Sequence, residues 1–221
     1  MLLYFCIHIS KKDMLEVKNA CFSAGEKKLF ADLSFTLNAG AMACIVGESG
    51  CGKTSLLRCL MGFARLDSGF ISYDGELLTP QSAETFRRQI AYLPQELALL
   101  SYQKVSEMVA LPFQLRENRH LPFSKKRLQE EMERLHLAPE TYDKKVAELS
   151  GGERQRVMLA VCGLLGKRYV FVDEPTSALE RQTSELVSAY LRRMAEASAT
   201  VLAVTHDEGL AAHSDFQIRL V

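Results

Sequence analysis

The stretch Gly47 to Thr54, GESGCGKT, sets three glycines, a lysine and a threonine in the spacing G-x-x-x-x-G-K-[ST]. Gly47, Gly50 and Gly52 let backbone N–H groups converge on phosphate oxygens, and Lys53 can reach the outer phosphates of a nucleoside triphosphate. The hydroxyl of Thr54 can ligate Mg²⁺. A second stretch, LSGGERQR from Leu149 to Arg156, puts Ser150, Gly151 and Gly152 where a helix begins, which is also a place to grip an anion. A third, YVFVDE, ends an apolar run on two acids. Asp173 is positioned there to hold Mg²⁺ through water, and Glu174 to polarise an attacking water as a general base. Taken alone, these acids read equally well as the polar cap of a strand turning into Pro175, and His206 at the end of VLAVTH as a structural histidine. Beside a phosphate loop, Asp173, Glu174, His206 and the Gln95 of YLPQE fall at one sheet edge. The puzzle is why a small chain should carry two phosphate grips.

Convergence of these groups depends on the elements beneath them. Met42 to Val46 is a short apolar run that suits a buried strand, and KTSLLRCLMGF after the glycine turn has apolar residues at helical spacing, giving the strand, glycine loop and helix that the motif requires. Upstream, LEVKNACFS and LSFTLNAG read as strands. DSGFISYDGELL reads as strand, turn and strand, and QIAYLPQE as a strand that stops at Pro94. Between Gln95 and Ser150 the text turns helical and is broken by Pro112, Pro122 and Pro139, which predicts a helical lobe inserted in an α/β core. Helix, buried strand, helix and strand follow in RQRVMLAVCGLLG, RYVFVDE, SELVSAYLRRMAEAS and TVLAVTH. That alternation argues for a mostly parallel sheet.

Composition narrows the classes. The chain has 221 residues, 48% hydrophobic and 24% charged, in the range of an ordinary globular protein. Lys+Arg and Asp+Glu both number 27, and with no basic block the chain is not expected to bind nucleic acid. The six cysteines lie scattered without metal-ligand spacing, which fits a reducing cytosol. No run approaches the roughly 18 to 20 apolar residues that span a bilayer. Met14 opens a strand, so residues 1–13 read either as a poorly ordered extension or as the product of an upstream start codon.

In their order and spacing GESGCGKT, the glutamine of YLPQE, LSGGERQR, YVFVDEPTSALE and the histidine of VTHD resemble the ATP-binding cassette (ABC) ATPases, over nearly everything from Met14 onward. The resemblance implies a P-loop α/β fold of ABC type, 14–221, with a mostly parallel core sheet, an N-terminal antiparallel β-subdomain and a helical subdomain at about 96–150. It implies ATP and Mg²⁺ as cofactors. Gly47, Glu48, Ser49, Gly50, Cys51, Gly52, Lys53, Thr54 and Ser55 would bind the nucleotide, and Thr54, Gln95 and Asp173 the metal. Glu174, His206 and Gln95 would be catalytic, and Ser177 to Leu179 the turn at a dimer seam. Ser150, Gly151 and Gly152 would be a signature loop that closes over ATP held by a second cassette facing the first head to tail, with Leu149 across the nucleotide from the other chain's Cys51. This accounts for two grips on one chain.

The implied function is the ATPase subunit of a transporter, docked on a separate integral membrane permease at the cytoplasmic face. A soluble regulatory ATPase of the same superfamily stays open as the alternative, and a small-molecule kinase would leave LSGGERQR unexplained. The chain departs from the family's pattern at CFSAGEK, where Ala24 stands in place of the ring that stacks on adenine, and at SALE, where Glu180 replaces the commoner aspartate.

Overall fold

The structure is a computed structural model that describes residues 14–96, 104–177 and 179–220. The reading of residues 1–13 therefore lies outside the described residues, as does Ala178 of the expected seam turn.

Two sheets carry the fold. β1 (Met14–Ala24) pairs antiparallel with β2 (Lys27–Asn38) and with β4 (Ser68–Tyr73), which in turn pairs with β5 (Glu76–Leu77), in the order β2-β1-β4-β5. The second sheet is wholly parallel. It runs β6-β7-β8-β3-β9, with β3 at Met42–Val46, β6 at Ile90–Leu93, β7 at Tyr169–Asp173, β8 at Thr200–Val204 and β9 at Phe216–Arg219.

The central parallel strands β3, β7 and β8 read as largely apolar runs because both faces are covered. Alternate side chains enter two different cores: Met42, Cys44, Val170, Val172, Val201 and Ala203 face one, and Ala43, Ile45, Tyr169, Phe171, Leu202 and Val204 the other. The first core is completed by the helical elements α3 (Val105–Gln114), α4 (Lys125–Arg134) and α5 (Gly151–Leu165), and by α6 (Arg181–Glu196). The second is completed by the antiparallel sheet and α1 (Lys53–Leu60), which buries Leu56, Leu57, Cys59 and Leu60. The short helices α2 (Ala83–Arg87) and α7 (Glu208–Ala212) fill the connections.

One expectation fails locally. Pro112 does not break its segment, because α3 runs through it to Gln114. The cost of the missing N–H is small where only one more turn could follow, and the side chain of Asn118 donates to the Pro112 carbonyl at 2.9 Å, capping the end. Pro122 and Pro139 do lie outside the α-helices, Pro139 opening a short 3₁₀ turn.

The helical lobe is tied back to the core through Glu131 of α4. Its carboxylate accepts from Tyr190 Oη of α6 at 2.7 Å and also pairs with Arg193. Arg156 of α5 donates to the carbonyl of Leu135 at 2.9 Å, fixing the far end of α4.

Candidate functional site

β3, β7 and β8 are neighbours, so the segments leaving their carboxyl ends meet in one crevice, the usual ligand position of an open parallel sheet. β3 delivers Gly47 to Thr54, β7 delivers Asp173 and Glu174, and β8 delivers His206. The crevice there has a volume of about 630 Å³ and its walls include Lys53, Thr54, Gln95, Asp173, Glu174 and His206. Gln95 itself is exposed. All the residues expected along this edge are thus brought together by the fold.

The loop has the backbone an anion cradle needs. Gly52, the residue before α1, has φ +106°, and a Cβ on it would stand 2.9 Å from the Cβ of Leu29 on β2. At Gly47, with φ +158°, a Cβ would stand 2.5 Å from the Leu220 carbonyl oxygen that follows β9. Only glycine fits either place. No side chain caps the N-terminus of α1 and no acid lies in its first turn, leaving its N–H groups and the positive end of its dipole open to an anion. Lys53, although buried, donates from Nζ to the carbonyls of Gly47 (2.8 Å) and Glu48 (2.9 Å), so its charge is folded onto its own loop. Lys27 on β2 donates to the Gly50 carbonyl at 3.2 Å and steadies the loop from outside.

The chemistry of the donors fits Mg²⁺. Asp173 is buried, its Oδ2 accepts from Thr54 Oγ1 at 2.8 Å, and its Oδ1 has no hydrogen-bond partner. A buried carboxylate oxygen without a partner costs free energy, and a hard cation is the partner that relieves it. Burial pushes the Asp173 carboxyl above its ordinary range, while the Thr54 hydroxyl and Lys53 draw it back. Among the described residues no cluster of three or more His, Cys, Asp or Glu could cage a metal. That suits Mg²⁺, which takes one or two protein ligands and completes its shell with waters and phosphate oxygens.

Glu174 sits in a conformation few glutamates adopt, with φ +50°. Its N–H donates to Val204 O at 2.9 Å. Its carboxylate lies against His206, with Oε1 3.1 Å from the ring Nε2 and Oε2 accepting the His206 N–H at 3.3 Å. The same Nε2 is 3.1 Å from Lys53 Nζ. One nitrogen serves only one of these partners at a time: it accepts a hydrogen bond from the ammonium, or donates one to the carboxylate. Burial raises the Glu174 carboxyl above its ordinary value, and the nearby His206 and Lys53 partly offset this.

Three features correct or extend the sequence reading. First, Leu149 does not point outward toward a facing chain, because it is buried in its own core, whereas Ser150 and Gly151 beside it are exposed. Second, among the described residues no Phe, Tyr or Trp lines either crevice flanking the phosphate loop. Ala24 is exposed at the end of β1, and the nearby Phe22 is stacked on Phe30 at 5.7 Å between centroids. Leu29 and the stems of Lys27 and Lys28 supply the apolar surface there instead. Third, the sequence reading passed over Gln155, which is buried and donates from Nε2 to the Glu174 carbonyl at 2.9 Å. Its signal was there: Gln155 shares the apolar stripe of α5 with Leu159 and Cys162, at i+4 and i+7.

Ser150, Gly151 and Gly152 join none of this. Ser150 caps α5, with its hydroxyl accepting from Glu153 N at 3.1 Å and its N–H donating to the Glu153 carboxylate at 2.8 Å. Neither crevice beside the phosphate loop includes any of the three.

Comparisons with known proteins give the family. A family model described as ABC transporter matches residues 30–177. The chain is 32% identical over 208 residues to the probable iron export ATP-binding protein FetA of Escherichia coli (strain K12), covering 94% of this chain and 91% of that one. It is 31% identical to the phosphonates import ATP-binding protein PhnC of Fusobacterium nucleatum, covering 90% of this chain and 84% of the relative. It is also 31% identical to the macrolide export ATP-binding/permease protein MacB of Campylobacter jejuni, of whose length it spans 32%. Among solved structures it superposes on the ATP-binding cassette MJ0796 in a dimeric, post-hydrolysis state bound to ADP and Pi, with a TM-score of 0.79, 26% identity, and coverage of 93% of this chain and 94% of that one. This chain belongs to the ABC transporter family.

Proposed function

We propose that the chain binds and hydrolyses ATP to power transport through a separate integral membrane permease, as one of two cassettes paired head to tail at the cytoplasmic face of the membrane. The observation that carries this reading is the separation of the two phosphate grips: Ser49, Gly50 and Gly52 to Ser55 line the crevice, and the signature at Ser150–Gly152, exposed at Ser150 and Gly151, lies outside it. A second cassette facing the first brings its signature to this loop, and two chains then make two sites. Solved dimers of the cassette MJ0796 support that arrangement. Relatives named as iron exporter and phosphonate importer support a common ATP-driven step, with cargo chosen by the permease.

In this reading residues 14–221 form one cassette, with its helical subdomain at about 96–150. Residues 47 to 55 hold the triphosphate, Lys53 exchanging its loop carbonyls for phosphate oxygens. Thr54 and Asp173, with Gln95 at the crevice wall, would hold Mg²⁺, which would supply neutralisation of the phosphate charge. Glu174 takes the proton of the attacking water, and His206 holds the Glu174 carboxylate in place and meets the outer phosphate.

Among the described residues no helix is long and apolar enough to cross a membrane. Affinity capture of the tagged chain from detergent-solubilised membranes is expected to bring down an integral membrane protein in stoichiometric amount. Recovery of the chain from the soluble fraction alone, with no such protein, would remove the transport half of the reading.

A further inference from the structure

The catalytic glutamate is held by its backbone as much as by its side chain. A non-glycine residue at φ +50° persists only where neighbours over-determine it. The Glu174 carbonyl accepts from three donors: Ser177 N at 3.3 Å, Ser177 Oγ at 3.1 Å, and Gln155 Nε2 at 2.9 Å. The two from Ser177 are local to the turn after β7. Gln155 is different, because it comes from α5 and is the donor buried away from solvent.

α5 is the helix that Ser150 caps, and Gly151 and Gly152 form its first turn. Gln155 follows Ser150 by five residues, about 7.5 Å along a stiff helix at 1.5 Å per residue. A rigid element therefore joins the exposed signature at one end to the backbone of the hydrolytic residue in the same chain.

We propose that Gln155 is a positioning residue that couples the signature of each chain to that chain's own Glu174. This rests on the paired-cassette reading above, in which the signature touches nucleotide held by the facing chain. Engagement at Ser150–Gly152 shifts α5, Gln155 carries the shift to the Glu174 carbonyl, and the carboxylate is set for water only when the other site is filled. Hydrolysis in the two sites is then cooperative through a link inside each subunit.

The test uses the full-length chain with Gln155→Met, which keeps length and burial and loses the donor, and Gln155→Glu, which keeps shape and presents an acceptor to the carbonyl. Both are expected to lower kcat by about tenfold to a hundredfold, the scale of a small misplacement of a reacting group. ATP affinity measured by equilibrium titration should stay within about twofold, since no ligand contact is removed, and the Hill coefficient for ATP hydrolysis should fall toward unity. A kcat and Hill coefficient equal to the parent's in Gln155→Met would overturn the proposal. So would a parallel loss of affinity, kcat and melting temperature, which is the signature of a packing role. If one variant does not fold, the same split is read from the other. The paired-cassette reading fails separately, by an internally bridged monomer between Cys51 and the thiol of Gly151→Cys under mild oxidation.

Discussion

Glu174→Gln is expected to retain ATP binding and to lose turnover by about 10² to 10⁴-fold, the range a positioned general base contributes. The amide keeps the shape of the side chain, and its oxygen can still accept the His206 N–H that now binds Glu174 Oε2. It cannot take a proton from water. Nucleotide should accumulate on the variant as ATP, read by single-turnover hydrolysis and by analysis of the bound nucleotide. Near-parental rates would remove Glu174 from the role of base.

The parent's pH profile carries the same chemistry. Burial, the dominant influence, leaves the Glu174 carboxyl holding its proton to higher pH than an exposed glutamate with its ordinary value of 4.5. The active carboxylate is therefore lost, as pH falls, at a pH above that value. The acidic limb of kcat/KM, which reports the free enzyme, should therefore midpoint above 4.5. An acidic limb at or below the ordinary glutamate value would contradict the burial argument.

Gly52→Ala is expected to weaken ATP binding by roughly 5- to 150-fold, equivalent to the 1 to 3 kcal/mol of holding a non-glycine residue in a disfavoured backbone state. Two causes act together. The φ of +106° is hostile to any L side chain, and the new methyl would press on Leu29 at 2.9 Å. The loop can escape both by opening, which disperses the N–H groups at the start of α1. Adding Leu29→Gly removes the Cβ that the new methyl meets and leaves the backbone strain, so the double variant should recover only part of the loss. Parental affinity in Gly52→Ala would show that this backbone state is not needed to hold phosphate.

Much of this was legible in the sequence because its causes are local. Met42–Val46 and Tyr169–Val172 had to be buried parallel strands, since an unbroken apolar run of four or five residues needs cover on both faces. The phosphate loop declares itself through glycines whose backbone no other residue can adopt. What escaped notice depends on packing between distant segments. The run ERQR reads as a solvated helix face, and only the fold puts Gln155 under the carboxyl end of β7. Leu149 stands next to an exposed signature, yet α5 turns its side chain inward. β9, with Phe216 and Gln217 partly or fully exposed at the sheet's edge, is too short and mixed a run to announce itself. Pro112 shows the converse, a strong local rule made harmless by its place near a helix end.

The central claim, that each site is shared between two chains, is tested most directly by joining the two grips covalently. Gly151 is the place for the new thiol, because it is exposed and a Cβ there meets nothing within 4 Å. The native partner is Cys51, partly exposed in the phosphate loop. Cys6 and Cys21 are replaced by serine. Cys44, Cys59 and Cys162 can remain, since burial pushes their thiols up to about 11, 12 and 12 and keeps them inert. A bridge needs Cα atoms within about 7 Å. Under mild oxidation Gly151→Cys is expected to run as a covalent dimer on a non-reducing gel, and Cys51→Ser in the same background should abolish that species. A monomer bridged internally between Cys51 and the thiol at position 151 would contradict the account, because it would mean that both grips serve one site within one chain.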